Sequence, residues 1–382
     1  MSSTKYDIAI IGAGAAGLQL ALAMGRDPYF ARQKVLILEK DAKNQNDRTW
    51  CYWEKGDGLW DHLTTKEWEK GLFISENSAI DLHLLPYRYK MLKAIDFYAF
   101  AKSTLQVAQH FHWYEDEISA VENGTPCTIV GKKASYSARL VFDSRIPADF
   151  FKGNDKYTRL LQHFKGWLIS TPEDAFDPST FTMMDYRLRW EDTTSFTYIL
   201  PLNKREALVE FTFFSPELIA DEGYETMLRQ YIQTHLSLSN YKVLEVEKGI
   251  IPMSDFPFGK YSTDRHIRIG TAGGWVKPSS GYAFKNCQRN AQKIIENIKA
   301  GRPVEQGLFR PRFQLYDALF LDVLNRRNDL GPALFENMYS KNTIQQIFAF
   351  LDEESSLGAD IRMLSMFPQL VFTRSLLNYL IR

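Results

Sequence analysis

A strand–glycine–helix–strand pattern at the start of the chain constrains its fold more than any other feature. The apolar, β-rich run YDIAII leads into Gly12, Gly14 and Gly17 in GxGxxG spacing, and a stretch with helical character follows. A second strand, KVLIL, ends at Glu39, 22 residues after Gly17. In such units the glycines permit a tight turn, close approach of a pyrophosphate and close helix–strand packing, and the acid binds a ribose hydroxyl. The pattern predicts a Rossmann-like dinucleotide-binding unit whose acid disfavours a 2′-phosphate.

A second nucleotide-binding signal lies far downstream, at residues 270–284, GTAGGWVKPSSGYAF. It indicates a strand end, a Gly-rich turn, then Pro278 and a helix that begins near Ser280. A helix N-terminus carries free N–H donors and partial positive charge, so it favours an anion. Two such segments indicate one extended cofactor, which favours FAD over NAD. The buried run VFDSR adds a third segment, whose Asp143 would face the cofactor from the end of the sheet.

The composition narrows the class of protein. The 382 residues suffice for two domains, and 46 basic residues balance 46 acidic ones, so no nucleic-acid partner is expected. The three cysteines have no CxxC spacing, which indicates neither a metal site nor a disulfide framework and favours a cytoplasmic location. No apolar run is long enough for a membrane-spanning helix, although the apolar C-terminal tail is either a packed helix or a membrane-surface helix. The 14% aromatic content fits a large core or a long apolar cavity.

The middle of the chain has the pattern of a β-hairpin, SFTYILPL and ALVEFTFFS around a polar connection. In its second strand Leu208, Glu210, Thr212 and Phe214 share one face. Glu210 is then either a buried proton donor, whose pKa desolvation would raise, or a solvated partner of Arg205. Both interpretations stay open from the pattern alone.

Asp185 is a second candidate acid, in the segment FTMMDYRLRW. The nearby Arg187 and Arg189 favour an ionised carboxylate, which either takes part in a structural ion pair or stabilises a cation.

These elements predict an α/β protein. An FAD-binding Rossmann-like domain of the aromatic-hydroxylase/glutathione-reductase type is expected in residues 1–150, completed by 248–300. An inserted antiparallel-sheet substrate domain is expected in 151–247, and a helical C-terminal cap in 301–382, where apolar residues recur at helical spacing.

Nearly the whole chain resembles the flavin-dependent lycopene β-cyclases. The stretch DRTWCYW is similar to a family segment with a Thr-Trp pair, and Asp185 falls in a Met-Asp-aromatic segment. Glu210 matches the acidic position that the family requires for cyclisation, in an acid-x-Thr motif, although Phe211 stands where relatives carry a second acid. EKGIIP resembles a Glu-x-Gly-x-x-Pro segment. Residues 274–284 match a flavin-facing Gly-x-x-x-Pro-x-Thr-Gly-Tyr-Ser-Phe stretch, with Ser280 for Thr and Ala283 for Ser.

This resemblance implies a set of roles. Reduced FAD, with NADH or NADPH as the electron source, would sit beside lycopene while its acyclic ψ-ends close to β-ionone rings without net redox change. Catalysis would fall to Glu210 and Asp185, and substrate contacts to Trp50, Thr212 and Tyr282. Two further glycines, Gly274 and Gly281, would also contact the flavin. The other expected contacts of the cofactor are Gly12, Gly14, Gly17, Glu39, Asp143, Pro278 and Ser280. The substrate lives in a bilayer, so a peripheral membrane contact and other carotenoid-pathway enzymes are the expected partners.

Three alternatives remain. A flavin monooxygenase or halogenase would use the same fold, but Gly270-Thr271 stands where aromatic hydroxylases carry Gly-Asp, and a WxWxIP signature is absent. A prenyl reductase of the geranylgeranyl-reductase type is the second alternative. The third is a catalytically silent flavin-binding protein, which an intact acid at Glu210 disfavours.

Overall fold

The computed structural model describes residues 5–152 and 156–381. Its strands, in chain order, are β1 Lys5–Ile11, β2 Val35–Glu39, β3 Thr49–Lys55, β4 Lys66–Trp68, β5 Lys70–Ile74, β6 Ala79–His83, β7 Tyr87–Lys93, β8 Phe111–Glu115, β9 Ile118–Glu122, β10 Cys127–Gly131, β11 Ser135–Asp143, β12 Arg159–Ser170, β13 Thr180–Asp185, β14 Thr194–Pro201, β15 Glu206–Ser215, β16 Lys242–Ser254 and β17 His266–Arg268.

The helices, in the same order, are α1 Ala15–Arg26, α2 Ala94–Gln106, α3 Ala148–Phe151, α4 Asp221–Thr234, α5 Phe284–Lys299, α6 Pro311–Arg326, α7 Gly331–Lys341, α8 Ile344–Leu351, α9 Leu357–Ser365 and α10 Gln369–Ile381.

The first sheet has the predicted nucleotide-binding topology. Strands β8, β2, β1 and β11 lie side by side and parallel, with β17 parallel to β11 and the hairpin β10–β9 at the edge. Every residue of β2 is buried, as expected for a parallel strand covered on both faces. One face of this sheet packs against α1, α2 and α5. The glycine turn between β1 and α1 lies at the carboxyl end of the sheet because it directly follows β1.

The second sheet has the order β16-β12-β15-β14-β13-β5-β6 and is antiparallel apart from the β13–β5 pair. The predicted hairpin is present as β14 and β15, with Tyr198 opposite Glu210. The predicted boundaries of this unit, 151–247, are too narrow. Its edge strands β5 and β6 come from the first 150 residues, and β16 continues to Ser254. The boundaries were wrong because β5 pairs with β13 across more than 100 residues, and no local sequence pattern indicates such a pairing.

The second sheet has a different covering on each face because side chains alternate along its strands. Val209, Phe211 and Phe213 of β15 pack against the helix α4. The opposite face turns towards a cavity and the C-terminal helices, whose apolar residues form a common core with β14 and β15. The small sheet β3-β7-β4 lies next to this core and carries Trp53 and Tyr89 into it. The predicted helical region after residue 300 is therefore present, as α6 to α10.

Candidate active site

One continuous cavity of about 450 Å³ extends from the glycine turn of the first sheet, across the face of β15, to the C-terminal helices. Its two ends differ in chemistry. The first end is lined by glycines and by charged groups such as Lys43, Asp47 and Arg48. The other end is almost wholly apolar or aromatic, with contributions from Tyr316, Phe320, Phe335, Met338, Tyr339, Phe350, Leu351, Leu364, Phe367 and Phe372. The cavity therefore suits a ligand pair of which one member is charged and the other is a hydrocarbon.

The glycine turn at the first end has the shape that a pyrophosphate requires. A Cβ atom on Gly14 would meet no atom within 4 Å, so the space in front of it is open. Gly14 caps α1 without a side-chain hydrogen bond, and the first turn of that helix has no acid, which leaves backbone N–H groups free for an anion. Behind the turn the packing is tight, because a Cβ on Gly17 would lie 2.0 Å from the carbonyl oxygen of Gly12. The residues present fit the diphosphate of FAD.

Glu39 lies at the end of β2, against the same turn. Its Oε2 accepts a 2.6 Å hydrogen bond from the backbone N–H of Ala13, and its Oε1 accepts bonds from Lys40 and Asp41. The carboxylate is thus fixed beside the turn. Its predicted contact with a ribose stays a prediction.

Asp143 is engaged elsewhere, which corrects its predicted contact with the cofactor. Its carboxylate is fully buried and binds Arg145, Arg268 and His266 at 2.7–2.9 Å. Burial alone would raise its pKa, but the hydrogen bonds from His266 and Arg145 and the two guanidinium charges lower the pKa to about 2. The neighbouring Ser144 lines the cavity instead, and its Oγ donates to the carbonyl oxygen of Ile11.

The second glycine-rich segment lies at the middle of the cavity, but the predicted helix begins later. Residues 270–273 form a short 3₁₀ turn that ends at Gly274 with φ +71°, and α5 begins only at Phe284. Pro278 and Gly274 are not among the cavity-lining residues, and their predicted contacts with the flavin stay predictions. Ser280 does line the cavity, and its buried Oγ has no hydrogen-bond partner in the part of the chain that the structure describes. A polar ligand group at this point would satisfy it.

Gly281 brings this turn against the second sheet. Its φ is +73°, and a Cβ there would lie 1.8 Å from the Oε1 atom of Gln162 on β12. This close approach needs glycine for both conformational and steric reasons. The turn that is expected to face the redox ring is therefore in contact with the sheet that carries Glu210.

Glu210 lies on the cavity face of β15, flanked by Leu208 and Thr212 on the same face. The side chain is 7% exposed, and its Oε1 accepts a 2.7 Å hydrogen bond from the hydroxyl of Thr212. Burial and the neighbouring carboxylate of Glu247 raise the pKa of Glu210 well above its usual value. The buried, protonated form is thus the one that the surroundings favour, and an ion pair with Arg205 is not formed, because Arg205 binds Asp174.

Glu247 is a cavity residue that was not among the predicted site residues. It lies on β16, and its carboxyl group acts on that of Glu210 across strand β12. Its Oε2 accepts a 2.6 Å bond from the hydroxyl of Thr49 on β3. Gly166 of the intervening strand β12 pairs with both acids, so the two carboxyl groups reach each other across a residue without a side chain. Burial raises the pKa of Glu247 as well.

Three phenols form a hydrogen-bonded chain beside Glu210. Tyr198 donates to Tyr89 at 2.7 Å, and Tyr89 and Tyr282 share a bond of 2.8 Å. All three line the cavity, and burial raises the pKa of each phenol above its usual value. The predicted substrate residue Tyr282 is thus in the site. Of the other two, Trp50 stacks on Phe284 at 5.1 Å, and Thr212 holds Glu210.

A family model described as "Lycopene cyclase protein" matches residues 7–375. The chain belongs to the lycopene cyclase family. The match spans both sheets and the C-terminal helices up to the middle of α10. A sequence comparison with curated proteins finds no significant match.

Solved structures share the fold of this lycopene cyclase family member at low sequence identity. A geranylgeranyl bacteriochlorophyll reductase-like protein from Thermoplasma acidophilum has TM-score 0.60 and 12% identity, with 97% of this chain and 98% of that chain covered. A variant of the flavin-dependent brominase Bmp2 has TM-score 0.61 and 15% identity, with 99% and 100% covered. A variant of halogenase PltM in complex with FAD has TM-score 0.58 and 14% identity, with 92% and 82% covered. The predicted fold class is confirmed.

Asp185 lies outside this cavity, which corrects its prediction as a second catalytic acid of the cyclase. The carboxylate is fully buried at the end of β13 and binds the guanidinium of Arg187 in a bidentate ion pair, with Nε at Oδ1 and Nη2 at Oδ2. The hydroxyl of Tyr231 on α4 also donates to Oδ2. It ties the α4 face of the sheet together, which is the structural ion pair that the flanking arginines had also suggested.

Proposed function

We propose that this lycopene cyclase family member closes the acyclic ψ-ends of lycopene to β-ionone rings beside reduced FAD, with no net redox change. One observation carries the proposal. Glu210 is a buried carboxyl whose surroundings favour its protonated form, on the wall of a hydrocarbon-lined cavity that continues to a nucleotide-binding glycine turn.

The residues of the apolar end suit an unfunctionalised polyene. Asp317 is the one charged group among the described residues that line this end, and Lys277 neutralises it at 2.9 Å. A chain end lying along Leu208 and Phe214 would bring its terminal double bond to the carboxyl group of Glu210. The substrate class that best satisfies such walls is a long hydrocarbon.

Glu210 would begin the reaction by transferring its proton to that terminal double bond. A tertiary carbocation results, the neighbouring double bond attacks it, and loss of a proton from the ring completes an isomerisation. The carboxylate that Glu210 leaves behind and the aromatic faces of the cavity stabilise the positive charge while apolar walls exclude water. Reduced FAD would add a negative charge beside the cation.

The FAD would be held along the first half of the cavity. Its diphosphate would lie on the N-terminus of α1 at Gly14, and its ribose at Glu39. Its ring would lie beside Ser280, whose orphaned hydroxyl needs a partner. NADH or NADPH would supply the electrons.

A second candidate function is oxidation or reduction of an apolar substrate, as a monooxygenase or prenyl reductase. This second candidate is supported by the fold that the chain shares with a brominase and with a reductase-like protein. The two functions differ in their use of oxygen and electrons.

Turnover of lycopene in liposomes separates these functions. Purified protein with FAD reduced under anaerobic conditions is expected to yield monocyclic and bicyclic carotenoids of unchanged mass. Oxygen added as a second arm should neither be consumed nor raise the yield. A product that gains an oxygen atom, or one that gains two hydrogens, would contradict the cyclase and favour the alternative.

We also propose that α10 contacts a membrane surface. Among the described residues no helix meets the length and hydropathy needed to cross a bilayer. Leu370, Leu377 and Ile381 follow one another at helical spacing on α10 and are 88%, 56% and 83% exposed. Arg374 lies on the same side of the helix and would bind an anionic lipid headgroup. On its other side Phe372 lines the cavity, which favours a bilayer as the source of the substrate.

A further inference from the structure

The carboxyl groups of Glu210 and Glu247 are close enough on the cavity wall to share a proton. Strands β15, β12 and β16 are consecutive in the sheet, and Glu210, Gly166 and Glu247 form one row across them. Side chains two strands apart are normally separated by the residue between them. Here a Cβ on Gly166 would lie 3.2 Å from the Cγ of Glu247 and 3.4 Å from the Cβ of Glu210. The missing side chain is what allows the two carboxyl groups to meet.

Each acid accepts one threonine hydroxyl, since Thr49 donates to the Oε2 of Glu247 at 2.6 Å and Thr212 donates to the Oε1 of Glu210 at 2.7 Å. The two acids differ in burial, because Glu210 is 7% exposed whereas Glu247 lies only partly buried on the edge strand β16. Burial disfavours the ionised form of a carboxyl group, so the more deeply buried Glu210 keeps the proton and Glu247 is the member that ionises first. The contact between the two carboxyl groups accordingly raises the pKa of Glu210 and lowers that of Glu247.

We propose that Glu247 is a positioning residue that shares one proton with Glu210, so that a single negative charge on the pair keeps Glu210 protonated near neutral pH. This inference rests on the proposed function. When Glu210 transfers its proton to the inner carbon of the terminal double bond, its O–H bond breaks, a C–H bond forms, the outer carbon becomes the tertiary cation, and the pair carries two negative charges beside it. The ring then releases one proton, which returns the pair to its starting state, so no proton is consumed.

The charged and titratable groups around the pair come from several elements. Cys51 and Thr49 face it from β3, Tyr198 from β14 and Tyr282 from the turn before α5. Arg48 and Glu245 lie at its outer end and act on Glu247 with opposite sign. The nearby phenols and the Cys51 thiol have raised pKa values, so Glu247 is the group that changes charge with Glu210 near neutral pH.

Glu247→Gln tests the shared proton, with Glu206→Gln on strand β15 as the matched control, since Glu206 is partly exposed and accepts a hydrogen bond from Asn203. Removing the like charge lowers the pKa of Glu210, so the high-pH limb of kcat/KM should move down by about one pH unit. At pH 8 we expect roughly a tenfold lower kcat with little change in KM. Glu247→Asp should restore part of the shift, and Glu206→Gln should leave the profile in place.

Infrared titration of the protonated-carboxyl band, in protein without substrate, gives a readout that does not depend on turnover. The band should vanish in Glu210→Gln and titrate at lower pH in Glu247→Gln. Thr49→Val, which keeps both acids, should instead raise the pH at which the pair begins to ionise. An unchanged band and an unchanged pH–rate profile in Glu247→Gln would overturn the inference. Failure of the wild-type protein to form rings, with the band shift intact, would overturn the proposed function alone.

Discussion

Glu210, Asp143 and Asp185 are all buried acids, and their partners decide their roles. Arginines bind both aspartates, at 2.7 Å from Arg145 in one case and in a bidentate pair with Arg187 in the other. A buried carboxylate that is paired in this way cannot give up a proton. Among the described residues no cation lies within salt-bridge distance of Glu210, which meets a second carboxyl group instead, so it is the acid whose proton is available.

Glu210→Gln should therefore keep the flavin and lose cyclisation. The amide preserves the size and the bond from Thr212 but has no acidic proton, so we expect turnover to fall by roughly 10²–10⁴-fold, the usual contribution of a general acid. The measurements are flavin absorbance after gel filtration and a pigment chromatogram. Glu206→Gln, at the partly exposed start of the same strand, is the control and should turn over normally. Wild-type turnover in Glu210→Gln would remove Glu210 from the mechanism.

Gly14→Val should separate cofactor binding from folding. Nothing lies within 4 Å of a Cβ at Gly14, so the fold should tolerate the side chain, whereas the branched group would fill the space expected for the pyrophosphate. We expect an unfolding temperature within a few degrees of the apo wild type and at least tenfold weaker FAD binding by fluorescence titration. Gly259→Val is the matched control because its Cβ also meets open space. Equal FAD affinity in the Gly14 variant would contradict the assignment of this turn.

Glu210 could be predicted as a site residue from the sequence and Glu247 could not, for a physical reason. Alternation along β15 is local, so the spacing of Leu208, Glu210 and Thr212 predicts a shared face without any tertiary information. Most of β16 before Gly249 is exposed, and EVEKG has the appearance of a solvated edge strand. Glu247 becomes a cavity residue only through the absence of a side chain at Gly166, some 80 positions away in the chain. The one available signal was its place in the EKGIIP segment.

At the scale of elements, the Gly-rich turn and the C-terminal helices are joined by a buried cation. Lys277 is 3% exposed and binds Asp317 of α6 at 2.9 Å and Glu353, which follows α8, at 3.1 Å. The two carboxylates outweigh the burial that would by itself lower the pKa of Lys277, so its pKa is raised. The sequence predicted the turn and the helical region separately, but nothing local indicated that one lysine links them.

Lys277→Met should destabilise the protein by about 3–5 kcal/mol, because it leaves Asp317 buried without its counter-charge. The double variant Lys277→Met/Asp317→Leu should recover a large part of the loss, since it removes the uncompensated charge as well. Denaturant unfolding of the two variants measures both effects. Equal stability of the single variant and the wild type would mean that this link contributes nothing to the folded state.

The N-terminal boundary of α5 could not be predicted from the sequence. Pro278 and the serines after it suggested a helix from about residue 280, yet the chain makes a further turn in which the N–H groups of Ser280 and Gly281 both bind the carbonyl oxygen of Lys277. The positive φ of Gly281 ends that turn against Gln162, and only then does α5 begin. A contact with β12 decides the boundary, so local propensity could not.

At the scale of the whole molecule, the C-terminal helices connect the cavity with the outer surface. Ser375 on the inner side of α10 is 2% exposed and donates to the carbonyl oxygen of Leu319 on α6, which fixes the helix to the body of the protein. Its outer stripe of Leu370, Leu377 and Ile381 has no covering within the described part of the chain. An apolar stripe of this kind, with Arg374 beside it, suits a helix that lies in a bilayer interface. A polyene leaving the bilayer would then meet Phe372 and the cavity without crossing water.

Leu370→Asp/Leu377→Asp should therefore weaken membrane binding without changing the chemistry of the site. Two carboxylates on the stripe oppose both its apolar contact and its attraction to anionic lipid, so we expect flotation with phosphatidylglycerol-containing liposomes to fall by at least fivefold. Turnover of lycopene delivered in detergent micelles should stay within about twofold of wild type. Val107→Asp, at an 82% exposed position after α2, is the matched control and should float normally. Equal flotation of the double variant and the wild type would exclude α10 as the contact, whereas loss in both assays would indicate that the stripe stabilises the fold instead.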